Sequence, residues 1–207
     1  MSIVLELQKE LYNDKISAEE ALRKAYVISK KLSIDNMSEW INNELNGYQE
    51  KSKTPRYRNI DGTIEAFNPY HGWYPLLFEN TDTQKLFDNI NLYLSISEIE
   101  AIIKTSEDIV YLSTSGTDYL VDKVNTKVRF KTSVHKFVGI TSIIKNIILE
   151  WALQLEKNGI LGEEFSFTQE EKEKSKELSN RIYNIIGDNN IINSSDIKQD
   201  VEKKNLY

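Results

Sequence analysis

The longest apolar-striped helix that the sequence predicts covers residues 140–157, and it constrains the fold more than any other feature. Its apolar side chains recur at helical spacing around a wide arc: Ile140, Ile143, Ile144, Ile147, Ile148, Trp151 and Leu155. A stripe this wide implies packing against more than one neighbour. The dipeptide Asn158-Gly159 ends the helix, and a capping box from Thr168 to Glu171 begins another that continues to about Ile186. We expect the stretch from Ile140 to Ser175 to form the spine of the core.

Composition predicts a soluble domain without disulfides. The chain has 207 residues and no cysteine, which excludes disulfides and thiolate metal sites. Glu6 interrupts the first apolar run, so the N-terminus does not match a signal peptide. Lys145 and Glu150 interrupt the apolar helix, whereas a membrane span needs about 20 mostly apolar residues. We therefore expect a cytoplasmic protein that does not enter a membrane.

Three helices are predicted in the first 46 residues. Residues 3–12 carry apolar side chains at helical spacing, and Ser17 with Glu20 forms a capping box before a second apolar stripe. Asp35 is the predicted N-cap of a third helix, which Gly47 ends. Together they predict a helical hairpin or a three-helix unit.

Short strands are predicted in the middle of the chain, where all three prolines fall between Tyr48 and Leu77. The strand candidates are Thr63–Phe67, Ile109–Leu112, Tyr119–Val124 and Lys127–His135, and Trp73–Phe78 is either the partner of the first strand or an extended return. A helix over Ser97–Lys104 is predicted with Ser95 or Ser97 as its cap. Residues 82–94 fit a short helix followed by an extended segment. We predict an α+β fold in which N-terminal and C-terminal helices pack together and against a small, mainly antiparallel central sheet. The domain is placed at residues 1–186, followed by a polar tail at 187–207 that is a linker or an interaction motif.

Positive charge is concentrated in one part of an acidic chain. The net charge is −6, yet residues 123–149 contain six basic residues and no acidic one. Strand alternation places Lys127, Arg129 and Lys131 on one face and Val128 on the other, and the outer two cations lie about 13 Å apart. Such a row could follow an extended anion, but we favour a solvated strand face. His135 belongs to the same polar face and is interpreted as a surface residue.

A second candidate binding segment combines cations with aromatic rings. Arg56, Tyr57 and Arg58 follow a proline, and His71 and Trp73 lie in an aromatic turn farther along. Guanidinium groups bind phosphate and flat rings stack bases, so this segment could hold a nucleotide. We favour a structural, extended segment, and a packed turn residue for His71. No HExxH, Walker-type, GxGxxG or GxSxG motif is present, so neither catalytic residues nor a metal site is predicted.

Several phrases of the sequence together resemble one family. They are Leu22-Arg23-Lys24-Ala25, residues 40–48 (WINNELNGY), Pro55-Arg56-Tyr57-Arg58, and residues 149–153 (LEWAL) continuing through 159–163 (GILGE) to Phe167-Thr168. In this order over one domain length, they resemble the AbiTii domain family of bacterial abortive-infection proteins, over almost the whole of residues 1–180. The resemblance implies phage defence rather than a particular reaction, and it brings no catalytic residues. Domains of this family often stand beside other modules, which implies sensing, regulation or assembly; here only about 20 residues follow the last predicted helix.

Two hypotheses follow. The first, which we prefer, is a non-enzymatic antiphage module, without cofactor, that acts through contacts with a phage or host protein or through self-association. The alternative is an anion-, nucleotide- or nucleic-acid-binding protein, including a nuclease. Its candidate ligand-binding residues are Arg56, Tyr57, Arg58, His71, Trp73, Lys127, Arg129 and Lys131.

Overall fold

The computed structural model describes residues 2–49, 54–113, 120, 124–163 and 165–175, and it confirms the α+β fold. The helices are α1 (Ile3–Tyr12), α2 (Ala18–Lys31), α3 (Asp35–Asn46), α4 (Thr81–Phe87), α5 (Ile96–Thr105) and α6 (Val134–Lys157). The strands are β1 (Asn59–Asp61), β2 (Thr63–Asn68), β3 (Gly72–Pro75), β4 (Asn89–Asn91), β5 (Ile109–Leu112) and β6 (Val128–Ser133). A 3-10 turn covers Arg56–Arg58, and residues 169–175 are helical.

The predicted three-helix unit is confirmed, with one correction to its caps. The Ser17 side chain accepts from the Glu20 amide, and Glu20 accepts from the Ser17 amide, which completes the capping box of α2. Asp35, however, is the first residue of α3 rather than its cap, and the capping position is Ile34, which has no side-chain acceptor. The carboxylate of Asp35 therefore acts on the positive end of the helix dipole instead. Gly47 ends α3 at φ 86°, a conformation that glycine adopts without strain.

The main sheet has four antiparallel strands in the order β3-β2-β6-β5, and β1 and β4 form a separate antiparallel pair. In the main sheet Ile64 pairs with Phe130 and Ala66 with Val128, and all four side chains are buried. This face of the sheet contributes to the same hydrophobic core as the helices. Side chains at the intervening positions lie on the other face, as the alternation predicts.

Helix α6 is the predicted core helix, but it starts six residues earlier than the sequence indicated. Ser133 ends β6 and accepts from the amide of His135, so the strand passes directly into the helix. His135 is therefore an exposed residue of the first helical turn, not of the strand. The helix is long and apolar enough by composition to cross a membrane. Its stripe, apart from half-buried Ile143, is nevertheless buried against α1, α2 and α5, as in the core helix of a soluble domain.

The chain reverses after α6 as predicted. Gly159 and Gly162 both adopt positive φ, at 70° and 64°. The Glu171 carboxylate accepts from the backbone amides of Leu161, Gly162 and Thr168, and Thr168 caps the following helix by accepting from the Glu171 amide. The Glu171 side chain thus connects the turn after α6 to the last described helix.

Other predictions in the middle of the chain had mixed outcomes. Strands at 63–67 and 109–112 are confirmed as β2 and β5, and Ser95 is the cap of α5. The segment predicted at 73–78 is the partner strand β3 only as far as Pro75. The strand predicted over Tyr119–Val124 is wrong at residues 120 and 124, which are helical, and its other positions lie outside the described residues. A short apolar run suits a helix as well as a strand, so its pattern alone could not decide. The predicted tail at 187–207 also lies outside the described part of the chain.

Candidate functional site

Arg58, one of the candidate ligand-binding residues, lies in the core rather than on the surface. Its side chain and that of Glu44 are both fully buried, and they form a bidentate ion pair with N–O distances of 2.5–3.2 Å. The other guanidinium nitrogen donates to the backbone carbonyls of Leu92 and Leu94. Arg58 therefore joins α3 to the segment between β4 and α5, and it does not face a ligand.

Tyr57 belongs to the same buried cluster. Its hydroxyl donates to Glu44 at 2.6 Å and accepts from the indole N–H of Trp40 at 3.0 Å, and the Tyr48 hydroxyl also donates to Glu44. Burial, followed by the Glu44 charge, raises the pKa of both tyrosines, so both hydroxyls stay protonated as donors. Burial also opposes the charge of Arg58, but Glu44 outweighs it and raises the pKa of the guanidinium. We name Trp40, Glu44, Tyr48, Tyr57 and Arg58 the buried clamp.

The other candidate cations lie on the outer face of the four-stranded sheet, which we call the open sheet face. Its side chains belong to Thr63, Glu65, Phe67, Trp73, Pro75, Ile109, Tyr111, Arg129, Lys131 and Ser133. Lys127, predicted to lie in the strand, directly precedes β6, and its carbonyl accepts from the amide of Phe67, which continues the pairing with β2. Strand register puts these positions on one side, and Ile109, Tyr111 and Lys127 are exposed there. Register therefore gathers Trp73 and the three cations from separate parts of the sequence.

Arg129 is the centre of the open sheet face. Its guanidinium carbon lies 4.0 Å from the ring centre of Trp73 and 3.7 Å from that of Tyr111, so the cation is held between two rings. Its nitrogens also reach Glu65 at 2.6–2.8 Å. Phe67 contacts Trp73 at 5.4 Å between ring centres. The flat groups are thus held in fixed positions before any ligand arrives.

Glu65 fixes two cations at once. Its carboxylate is nearly buried and also lies 3.3 Å from the ammonium nitrogen of Lys131. Burial opposes ionisation of Glu65, but the bonds from Arg129 and Lys131 prevail and hold its pKa below the usual value. At neutral pH the face therefore carries three cations and one carboxylate.

An open depression of about 400 Å³ lies at the end of the face where β2, β6 and β5 meet. Its lining includes Glu65, Pro75, Ile109 and Lys131, with Asp108 at the beginning of β5. Its size falls within the usual range for small-ligand sites. The depression mixes apolar and charged groups, and two of the charged groups, Glu65 and Asp108, are acidic.

The remaining candidates do not join this face by strand register. His71 is exposed in the turn between β2 and β3, and Arg56 is exposed on the 3-10 turn before β1. Within the described residues, no group of three or more histidine and acidic side chains could hold a metal ion. Sequence analysis missed Glu65 and Tyr111. The alternation in β2 and β5 places them on the outer face only when the strand pairing is known.

Comparison with known proteins agrees with the resemblance seen in the sequence. The AbiTii family profile matches residues 2–180, which is most of the chain. No curated protein and no solved structure matches. Because the match spans the helical unit, both sheets and α6, the chain belongs to the AbiTii family of abortive-infection proteins.

Proposed function

We propose that this protein is a non-enzymatic sensor or regulator in abortive infection, which acts in the cytoplasm by contact with a partner at its open sheet face. Membership of the AbiTii family gives the role in phage defence. The observation that carries the mechanism is the preformed set of rings and cations around Arg129, which no described element covers. Rigid aromatic and arginine side chains are the groups that dominate recognition surfaces.

The described carboxyl groups with shifted pKa values suit ionised roles rather than general-acid catalysis. A general acid needs a raised pKa, as burial away from cations produces. The described carboxyl groups whose pKa values depart from the usual ones all depart downward: Asp14, Asp61, Glu65, Glu98, Glu170 and Glu171. These groups serve as ionised partners in ion pairs and caps. Incubation with labelled RNA or DNA, with and without Mg²⁺, should leave the substrate intact, and metal-dependent cleavage would refute the non-enzymatic proposal.

Phage plating tests the role of the face. The chain is expressed in a susceptible host and challenged with a panel of phages, beside Tyr111→Ala and Lys127→Ala. We expect reduced plating with the native chain and restored plating with both variants, at equal protein levels. Lys9→Ala is the matched control, because it removes an exposed lysine from α1 and leaves the sheet unchanged. Uniform plating with stably made native protein, or full protection by both face variants, would contradict the proposal.

A further inference from the structure

We propose that the partner of the open sheet face is a single-stranded nucleic acid, whose phosphates contact Lys127, Arg129 and Lys131 and whose bases stack on Tyr111 and Trp73. This inference rests on the proposed function, because it names the partner of the same face. Three observations carry it: the spacing of the cations, the fixed rings beside them and the sign of the charge.

Two of the three cations lie on β6, and Lys127 directly precedes it, where its carbonyl accepts from the amide of Phe67 in β2. Alternate residues of a strand lie about 7 Å apart, so Lys127, Arg129 and Lys131 offer three positive groups at even intervals over about 13 Å. An extended polyanion matches such a row, whereas a compact anion reaches only part of it. Arg129 lies in the middle. Its Nε and one terminal nitrogen already bind Glu65, so the remaining N–H groups of the guanidinium are the ones that contact a phosphate oxygen.

The rings determine that the polyanion must have unpaired bases. Tyr111 is 49% exposed and lies directly across from Lys131, and Trp73 lies on the opposite side of Arg129. Bases stack readily on aromatic side chains of an open sheet, and stacking tolerates any sequence. A duplex keeps its bases paired inside, so it would leave these rings without a partner.

Charge complementarity separates this face from the rest of the protein. The chain as a whole carries a net charge of −6 and repels polyanions, yet the open sheet face carries three cations and one carboxylate. Glu65 offsets one of the three positive charges, because its nearly buried carboxylate pairs with Arg129 and Lys131, whereas Lys127 remains exposed. A polyanion approaching from solvent therefore meets Lys127 first, whereas exposed Asp108 lies beside Lys131 at the β5 end of the face.

Fluorescence anisotropy with short homopolymeric RNA and DNA oligonucleotides tests the proposal. We expect binding at low salt to single strands of one or both kinds, and weaker binding to a duplex of the same length. Three phosphate contacts predict a slope of about −2 when the logarithm of the association constant is plotted against the logarithm of the salt concentration. The affinity should therefore fall about 20-fold between about 50 and 200 mM salt. No binding to either single strand at low salt, or a preference for the duplex, would overturn the proposal.

Matched variants test whether the face itself binds. Lys127→Ala should reduce the salt slope by about 0.7, whereas Lys9→Ala, with the same change in net charge, should leave it unaltered. Tyr111→Ala should weaken binding at least about fivefold, and Tyr111→Phe, which keeps the ring, should retain it. Circular dichroism checks that each variant is folded. Equal effects of Lys127→Ala and Lys9→Ala, or unchanged binding by Tyr111→Ala, would refute binding at this face.

The two proposals fail in distinguishable ways. If Tyr111→Ala abolishes phage protection while no oligonucleotide binds to the native chain, the face acts on another class of partner and only the nucleic-acid inference falls. If oligonucleotides bind as expected but the face variants protect fully, the proposed function falls. Loss of both binding and protection in the same folded variant supports both.

Discussion

Replacing Glu44 by glutamine should destabilise the protein more than any other single change of charge in its described core. Glu44 accepts from Tyr48, Tyr57 and the guanidinium of Arg58, and both charged side chains are fully buried. In Glu44→Gln the Arg58 charge stays buried without a counter-charge, and the new amide NH₂ lies against guanidinium donors. Removing one partner of a buried ion pair costs about 3–5 kcal/mol. For a domain of this size the melting temperature should fall by about 6–20 °C.

The pair formed by Glu19 and Arg23 provides a control with the same chemistry at the surface. The two residues lie one helical turn apart on α2, and the Arg23 side chain is 68% exposed. Exposed pairs of this kind contribute about 0.3–0.5 kcal/mol, so Glu19→Gln should cost less than about 1 kcal/mol even with its helix-dipole contribution. Urea unfolding followed by tryptophan fluorescence measures the free energy of unfolding of both variants.

A small effect of Glu44→Gln would refute this reasoning. If its cost equals that of Glu19→Gln, the clamp is solvated or rearranged and Arg58 is not held as the structure shows. Should Glu44→Gln fail to fold, Tyr48→Phe gives a graded test. It removes one donor to a charged acceptor and should cost about 1.5–3 kcal/mol. An unchanged free energy of unfolding in Tyr48→Phe would lead to the same conclusion.

Further predictions concern two glycines and one carboxylate. Gly139→Ala should stabilise the protein by about 0.5–1 kcal/mol, because an added Cβ in α6 meets nothing within 4 Å. Gly62→Ala should destabilise it by about 1–3 kcal/mol, because the new Cβ would lie 2.5 Å from the Lys131 carbonyl oxygen. Urea unfolding that ranks the two variants the other way would contradict this packing. Glu171→Gln should cost about 1–2 kcal/mol near neutral pH. Burial opposes ionisation of Glu171, but three backbone amides prevail and hold its pKa below the usual 4.5, so its stabilisation is present above pH 4.5 and is lost as the pH falls through the lowered value. Unfolding curves of native and variant protein should therefore converge in acid, and a constant difference would disprove the role of that charge.

The three N-terminal helices and the body of α6 were predictable because their signals are local. The capping box of Ser17 and Glu20, the stripe of α6 and the glycine after α3 each lie within a few residues of the feature that they determine. The start of α6 was missed because two periods overlap there. Val134 continues the alternation of β6, but it also lies three residues before Phe137, which in turn lies three before Ile140. Burial of all three on α6 shows that the helical period prevails.

The site was only partly predictable, because its assembly depends on contacts between distant residues. In the sequence Arg58 resembled a surface cation, because charged residues are seldom buried without a partner. Its partner, Glu44, lies on another element, so the sequence near Arg58 does not reveal the pair. Alternation did place Lys127, Arg129 and Lys131 on one face. The neighbours that give this row its chemistry, Tyr111 and Glu65, depend on how β5 and β2 pair with β6. Register between strands is not encoded in either strand alone.

The phrases that identify the family describe the scaffold rather than the binding face. Residues 40–48 and Pro55–Arg58 supply every member of the buried clamp. From the last phrase, Trp151 lies in the core, and Gly162 lies in the turn that packs on Phe167. The open sheet face draws instead on Trp73, Tyr111 and β6, which no phrase includes. Substitution in the clamp should therefore abolish phage protection by reducing the amount of folded protein. Substitution on the face should abolish it at unchanged abundance, so immunoblotting beside the plating assay separates the two.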